Sequence, residues 1–264
     1  MLSQADLLDA AQRIAAEPDR ETRGFYVRVL ADMVEEAGDI EEAGILRLRL
    51  DAGDEPRDVV AWYDRYTRSP GSCVQRIAAE HDREARVFHA RVFAERVEEA
   101  GRLEEADLIR RRLDAGSEPR DVVVWYLRTV LKGCTEPTSG GPYMEFRNGL
   151  CWSVSFCGLA VRTLDPLRDM PYVRHLDVSR TAIKDDALAC LDDMVGLESF
   201  VADSTRIGDQ TIKRLSRLPR LAVLSIDNTR VTEASVDLVA RMNLRLRHWP
   251  LYHLDLSSRR TGAS

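Results

Sequence analysis

Residues 12–67 reappear at 75–130. The segment QRIAAEPDRETRGFYVRVLADMVEEAGDIEEAGILRLRLDAGDEPRDVVAWYDRYT aligns without a gap to QRIAAEHDREARVFHARVFAERVEEAGRLEEADLIRRRLDAGSEPRDVVVWYLRTV, with about two thirds of the positions identical. A tandem duplication of this length makes the first half a pair of like units that bury surface against their neighbours. Punctuation falls at matching places in both copies. Ser3 with Asp6 opens a first helix that runs through Ala16. Asp19 is placed to cap a second helix ending at Gly38, with Phe25, Val29, Met33, Val34 and Ala37 on its apolar face. Asp39, with Glu42 three residues on, opens a third helix that Gly53 closes. Pro56 opens a fourth, which carries Val59, Val60, Trp62 and Tyr63. The second copy repeats these signals at Asp82, Gly101, Gly116 and Pro119. Each copy therefore reads as helical hairpins that stack on the next.

Trp62 and Trp125 are equivalent, as are Tyr63 and Tyr126. Duplicated aromatics at helical spacing are expected to anchor packing rather than to line a ligand pocket. The runs Glu35-Glu36, Glu41-Glu42, Glu98-Glu99 and Glu104-Glu105 read as solvated faces and helix-start charges.

A second period, of 24 residues, begins at residue 170. Its copies are MPYVRHLDVSRTAIKDDALACLDD (170–193), MVGLESFVADSTRIGDQTIKRLSR (194–217) and LPRLAVLSIDNTRVTEASVDLVAR (218–241). Apolar columns recur, such as Leu176, Phe200 and Leu224, or Ile183, Ile207 and Val231. Each copy has a short period-2 stretch, a turn and a helical stretch, so the strands are predicted to be parallel. Thr181, Thr205 and Thr229 form a polar column expected to satisfy backbone groups in the turn. Asp185, Asp209 and Glu233 fall at helix starts, where the dipole favours anions. A degenerate earlier copy carries Trp152, Val154, Leu159, Leu164 and Leu167. After Met242 the pattern decays at Arg245, His248 and Pro250, as in a C-terminal cap.

The pattern LxxLxVxxTxI followed by a helix resembles a leucine-rich repeat of the 24-residue bacterial kind. The first half is similar to a helical companion domain of unknown function that precedes such repeats in many planctomycete proteins. Ala31-Asp32-Met33-Val34-Glu35-Glu36-Ala37-Gly38-Asp39, with Ala43, Ile45, Leu46, Arg47 and Leu48, resembles that domain's recurring core. Ala94 to Gly101 resembles it in the second copy. Phe146-Arg147-Asn148-Gly149-Leu150 resembles the strand opening that follows the domain. The resemblance brings no catalytic residue with it.

The expected fold class is α plus α/β: tandem helical-hairpin repeats, then a short leucine-rich-repeat solenoid. The expected divisions are helical repeat A at 1–67, helical repeat B at 68–131, a linker at 132–143 around Ser139-Gly140-Gly141-Pro142, and a repeat domain with its cap at 144–264. Charge divides in the same place. Residues 1–133 carry 21 basic and 28 acidic side chains, and residues 134–264 carry 17 and 16. A general polyanion binder is disfavoured for the first half by this sign.

Function classes narrow further. No apolar run approaches eighteen residues, so no membrane span is expected. The N-terminus lacks a basic and apolar leader, so a cytoplasmic protein is expected. Cys73, Cys134, Cys151, Cys157 and Cys190 form no CxxC pair, and His81, His89, His175, His248 and His253 share no spacing. Reduced thiols and no metal are expected, with Cys151 and Cys157 a weak pair should one strand hold both. No nucleophile elbow, Walker loop, dinucleotide fingerprint or zincin helix occurs, so neither catalysis nor a cofactor is expected. Strand alternation points His175, Asp177, Ser179, Ser199, Val201, Asp203, Val223, Ser225 and Asp227 at the open sheet face, with Arg180, Ser204 and Asn228 at the strand ends. Asp177, Asp203 and Asp227 form a candidate acidic strip for a basic protein partner. The expected role is a non-catalytic scaffold or adaptor binding an unknown protein. The first alternative is a structural or self-associating protein whose helical repeats pair between chains. A lower one is nucleic-acid binding through Arg206, Arg214, Arg217, Arg230, Arg241, Arg245 and Arg247.

Overall fold

A computed structural model describes residues 4–248 other than 243 and 245. Ser3, Arg245, Pro250 and His253 lie outside the described residues, as do the side chains of Arg247 and His248. Eight helices come first: α1 (Gln4–Ala16), α2 (Arg20–Glu36), α3 (Ile40–Asp51), α4 (Pro56–Thr67), α5 (Pro70–Ala79), α6 (Arg83–Glu99), α7 (Leu103–Asp114) and α8 (Pro119–Lys132). They form two four-helix units in which α2 and α3 have the same bounds as α6 and α7, while α5 starts later than α1 and α8 runs on past the end of α4. Asp19 and Asp82 each accept a backbone hydrogen bond, from Thr22 N and Ala85 N, at 2.7 Å. Pro56 and Pro119 occupy matching first turns, where the missing N–H costs nothing. Gly38 and Gly101 end α2 and α6 with positive φ, a conformation only glycine adopts freely.

Helix α2 turns a different face inward from the one its large apolar residues suggested. Its buried side chains are Arg23, Val27, Leu30, Ala31 and Val34. Phe25 is 63% exposed, and its equivalent Phe88 is 64% exposed. Arg23 takes an inward position because its guanidinium Nε donates to the Glu17 carbonyl at 2.9 Å, which closes the loop before the helix. The start of α3 also departs from expectation. Asp39 makes no side-chain cap; its carboxylate accepts from Arg76 on α5 at 3.0 Å. Glu42 makes no capping box and is not solvated: it is 2% exposed, with Arg76 of unit B 3.9 Å away.

Six strands follow: β1 (Tyr143–Arg147), β2 (Leu150–Ser155), β3 (His175–Asp177), β4 (Ser199–Val201), β5 (Val223–Ser225) and β6 (Leu246–His248). They lie in one sheet in chain order. The β1–β2 pair is antiparallel, and the other four pairings are parallel. Residues Asn148 and Gly149 both have positive φ, which makes a two-residue turn suited to strand twist. The motif read as a single strand opening is therefore a hairpin. Register is constant across the parallel part: Val154, Leu176, Phe200 and Leu224 are cross-strand partners. A 3₁₀ segment (Asp185–Asp193), helix α9 (Asp209–Leu215) and helix α10 (Val236–Arg241) return the chain after β3, β4 and β5. Strand β6 adds a further parallel partner where the pattern was expected to decay into a cap.

The apolar core crosses the expected linker. One continuous cluster runs from Cys73 and Phe93 in unit B through Cys151 and Leu176 to Val239. Unit A has its own cluster, closed on one side by Val195 from the loop before β4. Arg49 donates to the Asp192 carbonyl at 3.1 Å, and Arg65 pairs with Asp193 beside it. Helix α5 meets the 3₁₀ turn Asp165–Asp169 so closely that a Cβ on Gly71 would lie 1.8 Å from the Asp169 carbonyl oxygen.

At the A–B junction, Glu42 has neither carboxyl oxygen hydrogen-bonded. Burial, reinforced by Asp39, pushes its pKa from 4.5 up to about 8, against the pull of Arg76. Arg76 spends its charge on Asp39 at 3.0 Å and is 3.9 Å from Glu42.

Two predictions follow from this packing. Gly71→Ala should destabilise the protein by about 1–3 kcal/mol, because the added methyl collides with backbone that cannot yield. Gly44→Ala, in the open interior of α3 with nothing within 4 Å, should instead gain about 0.5–1 kcal/mol. Equal urea midpoints for the two variants would refute this docking. The second concerns pH. Below pH 4.5 both folded and unfolded chains hold the Glu42 proton. Between 4.5 and about 8 only the unfolded chain ionises, so stability falls as pH rises, and above that the loss is constant. Glu42→Gln should abolish that fall and be the more stable protein at pH 8, by an amount of order several kcal/mol. Parallel urea midpoints for the two proteins from pH 5 to pH 8 would contradict the assignment.

Candidate interaction face of the sheet

The face is built from two rows of cross-strand partners. One is Ser153, His175, Ser199 and Val223; the other is Ser155, Asp177, Val201 and Ser225. The alternating residues Val154, Leu176, Phe200 and Leu224 enter the core, so the face is fixed by the two-residue period of the strands. Of the nine predicted residues, His175, Asp177, Ser199, Val201 and Val223 lie half-buried on it. Ser179 and Ser225 are buried. Asp203 and Asp227 lie beyond the strand ends, half-buried.

The aspartates do not form a continuous strip. Asp177 stands in register with Val201 and Ser225, one column away from Asp203 and Asp227. Their carboxylates are also engaged within the fold. Asp177 accepts from Ser155 Oγ on β2 at 3.0 Å and from the Ser179 N–H at 2.9 Å. Asp203 accepts from Ser225 Oγ at 2.8 Å and from the Asp227 N–H at 2.8 Å. Both clamp neighbouring strands. Asp227 has one buried carboxylate oxygen without a partner.

Past the strands, Arg180, Ser204 and Asn228 all have φ near +55°, a left-handed turn recurring at the repeat interval. The threonine that follows each donates its hydroxyl back to the carbonyl three residues earlier. Thr181 reaches Val178 and Thr205 reaches Ala202 at 2.7 Å, and Thr229 reaches Ile226 at 2.9 Å. The acids at the helix starts act between units rather than on their own helix alone. Asp185 accepts from the Gly208 N–H at 2.7 Å and from Thr211 Oγ1 at 2.5 Å. One unit on, Asp209 accepts from the Thr232 N–H at 3.0 Å and from Ser235 Oγ at 2.5 Å. Hydrogen bonding from Ser235 and Thr232 holds the Asp209 carboxyl below its usual range in spite of some burial.

Trp152 flanks the face, with the Arg147 guanidinium 4.3 Å from its ring and the His175 ring 6.3 Å away. Sequence reasoning missed this stack, although Arg147 and Trp152 bracket the Asn148-Gly149 turn that brings them together. Among the described residues, the arginines of the nucleic-acid reading are not assembled into one patch. Arg214 is paired with Asp192, and Arg217 lines a separate crevice with Arg49. Arg206 and Arg230 share an open groove at the strand ends.

The helical aromatics pack as anchors. Trp62 is buried and stacked on Tyr66 at 5.1 Å, under Arg49 at 5.5 Å. Trp125 carries the equivalent Arg112 at 4.4 Å. Cys157 is exposed and lies outside β2, so one strand does not hold both it and Cys151. Cys134, Cys151 and Cys190 are buried, with thiol pKa values pushed by burial up to about 12. Such thiols are inert core side chains. Among the described residues, no group of three or more His, Cys, Asp and Glu is placed to hold a metal ion, and no helix is long and apolar enough to cross a membrane.

No protein-family model matches the chain, and no curated protein matches it. Among solved structures it is similar to internalin C2 of Listeria monocytogenes, with 22% identity and a TM-score of 0.30, over 34% of this chain and 38% of that one.

Asp203→Ala should lower stability by about 1–3 kcal/mol, since it strands the Ser225 hydroxyl and the Asp227 N–H in a half-buried site. Ser199→Ala, on the open row, should change stability by less than about 0.5 kcal/mol. Thermal melts that rank the two the other way would show that the carboxylate is not a clamp.

Proposed function

We propose that the chain is a non-catalytic protein–protein interaction module, a scaffold or adaptor. In this reading the 24-residue units form a short leucine-rich-repeat solenoid, and a protein partner docks on the open sheet face. The observation that supports it most is the constant register of β2 to β5, which presents His175, Ser199, Val201 and Val223 side by side and half-exposed. These four make a better probe set than the aspartates, because two of the aspartates are engaged within the fold. The test compares wild type with Ser199→Arg/Val201→Arg in cross-linking capture from the native lysate, followed by identification and direct titration of the captured partner. Loss of the partner in a variant that melts like wild type supports the face. Retained affinity would remove it.

A second reading, self-association through the helical units, has its own support. Phe25 and Phe88 are exposed at equivalent positions, and so are Ile40 (66%) and Leu103 (64%). Large apolar side chains left out twice at the same place suit a repeated contact. Sedimentation of wild type and of Phe25→Ser/Phe88→Ser over a hundredfold range of concentration tests it. A strict monomer in both excludes it.

A further inference from the structure

The three successive 24-residue units each contribute one arginine to an open groove of about 490 Å³ along the turns that leave β3, β4 and β5. They are Arg180, Arg206 and Arg230, and all three are exposed. Elsewhere on this chain exposed arginines are commonly paired with acids, as Arg20 is with Glu55, Arg28 with Asp51 and Arg91 with Asp114. In the groove no lining residue is a carboxylate. Of the neighbouring acids, Asp203 clamps β5 and Asp185 and Asp209 cap the following units, while Asp227, next to Asn228, is outside the lining and keeps one carboxylate oxygen buried and without a partner. The threonines of the lining are also occupied, with their hydroxyls turned to backbone carbonyls. The open donors are thus chiefly the three guanidinium groups; between them the Asn228 amide donates to Ser204 Oγ at 3.3 Å.

Arg180 sharpens the point. It adopts the left-handed conformation at φ 56°, where the equivalent positions hold the small polar residues Ser204 and Asn228. A long cation is an unfavourable choice for that turn on backbone grounds alone. Its placement extends the cationic row to the third unit.

We infer that this groove binds a short, extended, acidic segment of a protein partner, with carboxylates paired to Arg180, Arg206 and Arg230. Guanidinium groups pair with carboxylates through two parallel hydrogen bonds. Adjacent strands lie about 4.8 Å apart, so three units span about 10 Å. An extended chain covers that distance in about three residues. Nucleic acid fits less well. The lining holds no aromatic ring on which a base could stack. The helical half, with 28 acidic against 21 basic side chains in residues 1–133, repels a long polyanion. The inference rests on reading the 24-residue units as a protein-interaction module.

Fluorescence anisotropy with the full chain and a labelled octaglutamate peptide tests it, with octaglutamine and an eight-nucleotide thymidine oligomer as the other arms. Octaglutamate should bind at low salt and octaglutamine should not. Arg206→Gln/Arg230→Gln should weaken octaglutamate binding about tenfold or more. Arg217→Gln/Arg241→Gln, with the same charge removed away from the groove, should change it less than about twofold. Arg206→Lys/Arg230→Lys, which keeps the charge and loses the fork, should fall between them and guards against a folding artefact. No binding by wild type, or equal weakening in the Gln pair and its control, overturns the inference. Tighter binding of the oligonucleotide, lost in the groove variant, also overturns it and makes the surface one for nucleic acid. If octaglutamate fails while sheet-face variants still lose their captured partner, the groove assignment falls and the interaction module stands.

Discussion

A stack of parallel strands has a core that is open at its end, and that end has to be covered. The first parallel strand, β2, would otherwise expose Cys151, Val154 and the unpaired backbone of its outer edge. Two devices close it here. The antiparallel strand β1 pairs with the edge. Unit B then lays α5 and α8 against the end, so that Val74, Leu127 and Leu131 continue the core begun by Val154 and Leu176. The close approach at Gly71 is part of this seal. Unit B is thus less a neighbour of the repeats than their first layer.

Unit A has the same sequence plan in different surroundings, and the differences fall where the surroundings differ. Arg13 is exposed on α1 and pairs locally with Asp9, whereas its equivalent Arg76 is drawn into the junction by Asp39. The residue equivalent to Asp39 in unit B is Arg102, which donates to Tyr126 Oη at 3.0 Å instead. Glu42 is buried with Arg76 of unit B beside it, while its equivalent Glu105 stays half-exposed. A duplicated helix bundle keeps its caps, turns and Arg-over-Trp contacts because these are local. Only the residues that face a neighbouring body acquire new partners, Arg76 and Asp39 across the junction of the copies and Arg49 and Arg65 on the 3₁₀ segment before β4.

That distinction sets what could be read from the amino-acid sequence. Both repeat periods, the helix caps at Asp19 and Asp82, the parallel register and the inward role of Thr181, Thr205 and Thr229 follow from local chemistry and were legible. The α2 face was misread because Phe25 and Val29 look like core residues, and burial depends on where the unit's other helices stand. The hairpin was legible in Asn148-Gly149 and was missed because a single strand opening accounted for the same residues. The acidic strip was misread for a subtler reason. Strand alternation gives which side a residue faces, but the two-residue offset of Asp177 and the hydroxyls of Ser155 and Ser225 belong to the neighbouring units.

The same accounting explains why the charge left over on the repeats is positive. Each unit turn leaves backbone donors and small hydroxyls unmet, and short carboxylates are the side chains that satisfy them. Asp177, Asp185, Asp203 and Asp209 are consumed in this way, each reaching into an adjacent unit. Arginine has no acceptor to offer such donors. Arg174 donates instead to the Gly196 carbonyl and Arg214 pairs with Asp192, while Arg180, Arg206 and Arg230 stay exposed at the rim. A near-neutral composition in residues 134–264 can in this way present a cationic edge, because acids and bases are not equally available to solvent. Net charge counts residues; recognition depends on which of them the fold has left unpaired.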